Sequence, residues 1–283
     1  MGPVFVLGIG AQKAGTTWLS TQLIRQKNYK SLFSKELHYW DHRYGTRTER
    51  EFEATELEQI LCNSDQPAFP VRSYTAVQMY FLRISMWNWR ETFGSNTITA
   101  DITPAYAGLP GFVFSQIATG LDKRRIDYRV VFLMRDPLSR VLSAWKMVER
   151  KSGRSGRSRT PPSAPYELNA SLLRFAESWG CQIRTRYELT LRNIEATFDP
   201  HRVFVGFQES IGEEHQLVRL ANFLGLERRD FDPTNRVNAG TKIPPLTVET
   251  KSRIVELYRP TYNQLGERYP QLFNLWEGFR FLD

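Results

Sequence analysis

The sequence predicts an α/β fold in which a central parallel sheet is flanked by helices on both faces. Short apolar runs rich in β-branched residues recur along the 283 residues, and segments with helical spacing of apolar residues follow them. This alternation is typical of parallel strands joined by crossover helices, and uninterrupted apolar runs indicate strands covered on both faces. The predicted strands are Val4–Gly8, Thr97–Ala100, Tyr128–Met134 and Arg202–Gly206.

Helices are predicted between these strands and after the last one. Apolar residues recur there at helical spacing. The predicted helices are Thr16–Gln26, Ala76–Phe93, Pro137–Arg150, Leu168–Phe198 with a break near Gly180, Glu213–Leu224 and Thr247–Tyr269. Because no internal repeat is visible and the alternation continues along the chain, we expect residues 1–283 to form a single domain.

Residues 152–165 interrupt this alternation. The segment is rich in glycine, serine and arginine, and its three prolines disfavour regular structure, so we predict a mobile loop inside the domain. Together with Lys151, its arginines give the stretch KSGRSGRSR four positive charges. Two interpretations stay open: the loop attracts an anionic acceptor, or it is a solvated surface insertion.

The composition narrows the function classes without choosing one. The formal net charge of +8 favours anionic partners but does not separate a nucleotide, an anionic glycan and a nucleic acid. Because neither a zinc finger nor an aromatic-rich RNA-binding strand is visible, we expect no nucleic-acid partner. Two cysteines and no zinc-ligand spacing favour a cytoplasmic setting without a metal. The chain starts without a basic leader or a membrane-length apolar run, so no membrane association is expected, and the oligomeric state is not indicated.

A glycine-containing loop follows the first predicted strand. The sequence GAQKAGTTWL begins at Gly10 and leads into the first predicted helix. Such a strand, loop and helix point backbone N–H groups and the positive helix end at an anion, and Thr16 and Thr17 add hydroxyl donors. The sequence therefore predicts a phosphate site and a P-loop-like sheet. The alternative is an ordinary strand-to-helix turn.

The position of the lysine distinguishes this loop from that of a kinase or ATPase. The Walker pattern G-x-x-x-x-G-K-[ST] fits at Gly10, Gly15 and Thr17, but Thr16 occupies the lysine position. Lys13 lies earlier in the loop, where it can reach a nearer phosphate and its leaving oxygen instead of a γ-phosphate. This shift argues against phosphate transfer from ATP with magnesium.

A second candidate anion site follows the third predicted strand. That strand ends in Arg135, Asp136 and Pro137, where the aspartate can cap the next helix and the proline fits its first position. Ser143 lies eight residues beyond Arg135, so the two converge on one anion only if the helix packs back over the strand end. Alternatively, Arg135 pairs with a carboxylate and Ser143 only faces solvent. We interpret Arg140 as structural.

The two motifs together resemble those of the PAPS-dependent sulfotransferases, which transfer a sulfonate group from 3′-phosphoadenosine 5′-phosphosulfate (PAPS) and release PAP. By this resemblance Arg135 and Ser143 bind the 3′-phosphate, Lys13 offsets charge on the leaving phosphate oxygen, and no metal is required. The resemblance covers the chain from Val4 to about Phe273. It implies that the 5′-phosphosulfate is held by Lys13, Ala14, Gly15, Thr16, Thr17 and Trp18.

Residues 34–41, SKELHYWD, resemble the KE-x-H-[FY]-[FW]-D segment of the heparan-sulfate type of sulfotransferase, in which the glutamate is taken as the general base. The resemblance thus assigns the acceptor proton to Glu36. We expect the apolar neighbours Leu37 and Trp40 to raise the pKa of this carboxyl group toward the working range. In an extended segment His38 faces the same side, so either residue could be the base, and we favour Glu36. Alternatively, the charged residues here form a surface ion-pair cluster.

Two further segments resemble parts of the same family. Residues 101–106, DITPAY, are similar to its TPSY segment on the acceptor side. Residues 238–245, NAGTKIPP, stand where the family has a late basic loop that closes on the nucleotide. That loop departs from the fuller KGR-x-YP form, so the expected phosphate contact falls to either Thr241 or Lys242.

The sequence therefore predicts an enzyme that moves a sulfonate group from PAPS to a hydroxyl or an amine. A glycan and a small-molecule alcohol are the candidate acceptors, because acceptor choice depends on loops. One alternative is a P-loop kinase that uses ATP and magnesium, with Asp136 as the metal-binding carboxylate. The other is a non-enzymatic binder of anionic polymers, suggested by the basic stretch.

Overall fold

The predicted strands form one parallel sheet in the computed structural model, which describes residues 2–31, 35–43, 94–154, 165–233 and 246–282. The strand order is β2-β1-β3-β4, and each strand overlaps its predicted range. The α/β fold with a P-loop-like sheet is therefore confirmed. The strands are β1 Val4–Gly10, β2 Ile98–Ile102, β3 Asp127–Met134 and β4 Val203–Phe207.

Strand β1 lies inside the sheet, between β2 and β3. All of β2 and nearly all of β1 and β3 are buried, as expected when helices cover both faces. Gly8 pairs with Ile102 on one side and with Val131 on the other, so the carboxyl ends of the three strands lie side by side. The chain leaves β1 for one neighbour and returns to the other, and open α/β sheets bind ligands at such a reversal.

The helices mostly follow the apolar pattern, with shorter segments than predicted near the end of the chain. The predicted helix Thr247–Tyr269 is two helices, because Pro260 is disfavoured inside a helix and instead lies in the first turn of a new helix that begins at Arg259. The described helices are α1 Thr16–Ile24, α2 Tyr39–Arg43, α3 Gly111–Lys123, α4 Pro137–Arg154, α5 Pro165–Glu177, α6 Trp179–Gln182, α7 Tyr187–Thr197, α8 Glu214–Leu224, α9 Val248–Leu257, α10 Arg259–Arg268 and α11 Leu272–Leu275.

Helix α3 was not predicted. Its sequence contains two glycines and few strong helix formers, so its intrinsic propensity is low. Tertiary packing compensates, because Val113, Phe114, Ile117 and Leu121 lie on one buried face. This helix connects the carboxyl end of β2 to the amino end of β3.

The bounds predicted for the loop over residues 152–165 are wrong at both ends, while the predicted mobility stays a prediction. Helix α4 continues to Arg154, and α5 begins at Pro165, which fits the first helical position. Residues 155–164 lie outside the described part of the chain, as does the predicted helix Ala76–Phe93. Among the residues that the structure describes, no helix combines the length and the apolar character needed to cross a membrane.

Candidate active site

The predicted phosphate loop, residues 10–15, joins β1 directly to α1. Gly15 stands at the N-cap of α1 with a φ of +91°, a left-handed conformation that favours glycine. The loop is anchored to β3, because the Ala11 N–H donates to the carbonyl of Leu133 at 2.5 Å. No side chain caps α1, and its first turn contains no acidic residue. The N–H groups and the positive helix end are therefore arranged as an anion site requires.

The second motif meets this loop. Arg135, just beyond the end of β3, places its Nη1 atom 3.4 Å from the carbonyl oxygen of Lys13, which lies 122 residues earlier in the chain. Its Nε atom is buried and has no hydrogen-bond partner among the described residues. A buried guanidinium N–H without an acceptor is costly, so a bound anion here would satisfy it.

Helix α4 runs from this point and carries two further polar groups. Ser143 is half-buried and forms no hydrogen bond with Arg135 in the described structure. Lys146 lies one turn further on, and its pKa is lowered by burial and by the nearby charge of Arg135. An anion bound near both groups would relieve the repulsion between these two cations. Lys146 was not among the residues predicted for the site, although it follows Ser143 by three residues on the same helix.

The candidate base residues form a chain of charged contacts. Lys35 Nζ donates to Glu36 Oε1 at 2.8 Å, and His38 Nε2 lies 3.2 Å from Glu36 Oε2. The other ring nitrogen, His38 Nδ1, lies 2.9 Å from Oδ2 of Asp41, which is fully buried. The predicted ion-pair cluster exists, but it extends inward from the surface. Glu36 and His38 do come together, as predicted.

The prediction that the pKa of Glu36 is raised is wrong. Burial does raise it, but hydrogen bonds from His38 and Lys35, and the charges of both residues, bring the pKa down to about 2. The hydrogen bonds and charges of Lys35 and His38 therefore outweigh the desolvation of this carboxyl group.

Lys35 also touches the phosphate loop. Its Nζ atom lies 3.3 Å from Thr17 Oγ1, at the start of α1. The ammonium group of Lys35 therefore contacts both Thr17, which is predicted to bind the phosphosulfate, and Glu36, the predicted general base. From the sequence, Lys35 was expected only as one of the charged residues of the segment SKELHYWD.

The segment DITPAY, residues 101–106, holds the backbone of the candidate base residues through hydrogen bonds. Asp101, at the end of β2, accepts hydrogen bonds from the Thr103 hydroxyl at 2.5 Å, from the Tyr106 hydroxyl at 2.7 Å and from the Leu37 N–H at 3.2 Å. The Tyr106 hydroxyl in turn accepts from the Tyr39 N–H at 3.1 Å. Burial raises the pKa of Asp101 and outweighs these hydrogen bonds, which lower it, so that the pKa is about 6. The backbone around Glu36 and His38 is thus fixed to β2.

Asp136 and Arg140 have structural partners. Asp136 caps α4, as predicted, by accepting from the Ser139 N–H and hydroxyl, and its other oxygen accepts from the Tyr262 hydroxyl at 2.5 Å. Arg140 is fully buried and donates to the Cys181 carbonyl at 2.9 Å. Both therefore hold α4 in place. Thr241 and Lys242, predicted on the late loop, lie outside the described residues.

Comparison with solved structures addresses the fold. A sulfotransferase from Alicyclobacillus acidocaldarius superposes with a TM-score of 0.54 at 16% identity, over 94% of this chain and 95% of that one. The chain has the fold of a sulfotransferase. A sulfotransferase domain from the curacin biosynthetic pathway gives a TM-score of 0.40 at 17% identity, over 83% and 78% of the two chains. Mouse sulfotransferase SULT7A1, complexed with PAP, gives 0.38 at 12% identity, over 93% and 66%. The sequence matches no family model and no curated protein.

Proposed function

We propose that this chain is a sulfotransferase that uses PAPS as its donor. The observation that carries the proposal is the meeting of three motifs at the carboxyl ends of β1, β2 and β3. Arg135 reaches the backbone of Lys13 from one side, and Lys35 reaches Thr17 from the other. A phosphate loop, a second cation site and a candidate base therefore share one edge of the sheet.

The cationic side of the site fits a donor with two separated anionic groups. The loop from Lys13 to Trp18 offers N–H and hydroxyl donors to the 5′-phosphosulfate. Arg135, with its buried unpartnered Nε atom, and Ser143 and Lys146 on α4 offer a second anion site. We assign the donor's 3′-phosphate to this second site.

The reaction moves a sulfonate group between two oxygens, or from an oxygen to a nitrogen. PAPS supplies the sulfonate, and the electron pair of the broken S–O bond stays on the phosphate oxygen of PAP. Lys13 offsets the charge that grows on that oxygen, as preorganised cations do in phosphoryl transfer. Glu36 takes the proton from the acceptor as its oxygen or nitrogen bonds to sulfur. His38 contacts Glu36 and stays the alternative base.

The acceptor is expected beside the exposed part of Glu36, whose side chain is 36% accessible. The KE-x-H segment favours a glycan, and a small-molecule alcohol is the other candidate. We expect the enzyme to act in the cytoplasm, on the ground of its two cysteines.

The kinase alternative requires a carboxylate that can reach magnesium near the loop. The candidate, Asp136, is buried, and both of its oxygens accept hydrogen bonds that fix α4 and α10. Thr16 stands at the Walker lysine position, so among the described residues neither that lysine nor the candidate carboxylate Asp136 is available for kinase chemistry.

Thermal unfolding with nucleotides tests the proposal. A ligand that binds only the folded state raises the melting temperature, so PAP should stabilise the protein without magnesium and ADP much less. Arg135→Ala should remove most of that preference, because a charged hydrogen bond contributes about 1.5–3 kcal/mol. Equal stabilisation by PAP and ADP, or a requirement for magnesium, would contradict it. Release of PAP from PAPS across a mixed acceptor panel then identifies the acceptor class.

A further inference from the structure

Lys35 contacts two residues with different proposed roles: Glu36, the proposed base, and Thr17, which is proposed to bind the donor. Its ammonium lies 2.8 Å from Glu36 Oε1 and 3.3 Å from Thr17 Oγ1. Lys35 is about three-quarters buried, whereas Glu36 is 36% accessible. A compact ammonium group can rotate its three donors, so it adapts to a new acceptor nearby more easily than a planar guanidinium does.

An anion on the phosphate loop would compete for this ammonium. Thr17 is one of the residues proposed to hold the donor's 5′ end, so an anionic group bound there approaches Lys35 as well. Such a group carries more negative charge than the single Glu36 carboxylate, and charge-assisted hydrogen bonds favour the stronger acceptor. A donor bound to the loop therefore weakens the bond between Lys35 and Glu36.

We propose that Lys35 couples donor binding to the base: it holds Glu36 through Oε1, and it turns to the donor's anionic 5′ end when that end occupies the loop beside Thr17. Glu36 then loses one of its two cationic partners and is better able to accept the acceptor's proton. Lys35 also gains a direct contact with the group in transfer. This inference rests on the proposed function and adds an order to it, with the donor bound before the base is active.

The surroundings of Glu36 determine how large this effect can be. His38 faces its other oxygen, and Asp41 lies behind His38. The buried carboxylate of Asp101 accepts a hydrogen bond from the N–H of Leu37, the residue after Glu36. Since His38 remains in place when Lys35 moves, the change should be partial. The hydrogen bonds from Lys35 and His38 both lower the pKa of Glu36, so loss of the Lys35 bond should raise that pKa by about one unit or more.

A carboxyl NMR titration of Glu36 tests the coupling. Protein with ¹³C-labelled glutamate is titrated with and without saturating PAP, and the Glu36 signal is assigned by its loss in Glu36→Gln. PAP should raise the pKa of Glu36 by at least one unit. In Lys35→Met the pKa should start higher, and PAP should move it much less, whereas Lys35→Arg should keep part of the response.

Lys123→Met is the matched control, because this exposed lysine ends α3 at the opposite edge of the sheet. It should leave the PAP response unchanged. Equal PAP-induced shifts in the parent and in Lys35→Met would overturn the coupling, since the shift would then come from the donor's charge alone. Calorimetry on the same samples separates the two proposals. If PAP binds but does not change the pKa of Glu36, only the coupling is refuted. If PAP does not bind, the proposed function is refuted as well.

Discussion

Replacing Tyr106 by phenylalanine tests whether its hydrogen bonds to Asp101 and Tyr39 position the proposed base, Glu36. The change keeps a fully buried ring and removes only its hydroxyl group. That hydroxyl donates to Asp101 Oδ2 at 2.7 Å and accepts from the Tyr39 N–H at 3.1 Å. Both groups lose a partner, one of them a carboxylate.

The expected cost follows from these two bonds. A hydrogen bond to a charged group contributes about 1.5–3 kcal/mol and a neutral one about 1 kcal/mol, so the variant should lose roughly 3 kcal/mol of unfolding free energy. In a domain of this size that corresponds to roughly 5 °C in melting temperature. Because the Tyr39 N–H adjoins the Glu36 segment, we also expect turnover to fall by about tenfold or more, while PAP affinity changes little.

Thermal unfolding, PAP calorimetry and single-turnover sulfonation with donor prebound measure the three effects separately. Tyr258→Phe is the matched control, because its buried hydroxyl donates to the Ala176 carbonyl at 2.7 Å, away from the base segment. The control should lower stability and leave turnover intact. If Tyr106→Phe is destabilised as expected but turns over like the parent, the positioning argument is refuted.

Three further predictions address the charged residues of the site. Glu36→Gln should lower the single-turnover rate by about 10²–10⁴-fold with little change in PAP affinity, and a near-parental rate beside an inactive His38→Gln would assign the base to His38. Lys146→Met should weaken PAP by about tenfold and ADP hardly at all, as measured by calorimetry; equal losses would place Lys146 away from the 3′-phosphate. Asp101 has a folded-state pKa of about 6, raised by burial, so its ionisation costs stability as pH rises from about 4 to 6. Relative to Asp101→Asn, the parent should therefore lose about 3 kcal/mol across that window in urea unfolding, and a pH-independent difference would contradict the shift.

The sheet was predictable because its strands are short, apolar and covered on both faces. These features can be seen within each short stretch of sequence. The same is true of the Asp136 cap at the start of α4. Helix α3 was not predictable in the same way, since its glycines lower local propensity and only packing of Val113 and Phe114 against the core compensates.

The site was predictable as motifs and not as contacts. The loop and Arg135 were identifiable by order along the chain, but the bond from Lys35 to Thr17 depends on how the turn after α1 folds back. The same limit explains the error on Glu36. The apolar residues Leu37 and Trp40 were expected to raise its pKa, whereas the hydrogen bonds and charges of Lys35 and His38 lower it, and those contacts depend on how the segment folds. Asp101 was read as part of a segment lining the acceptor side, and its burial beneath the base is a tertiary property.

The strand order has a consequence for how such an enzyme diversifies. The groups proposed to bind the donor follow β1 and β3, whereas the segment of the proposed base is tied to β2 through Asp101 and Tyr106. In the described sheet β2 is an edge strand, so under the proposed function it and the segments hydrogen-bonded to it can change while the proposed nucleotide site stays the same. Libraries that vary only the β2 side should yield new acceptor preferences on an unchanged donor chemistry.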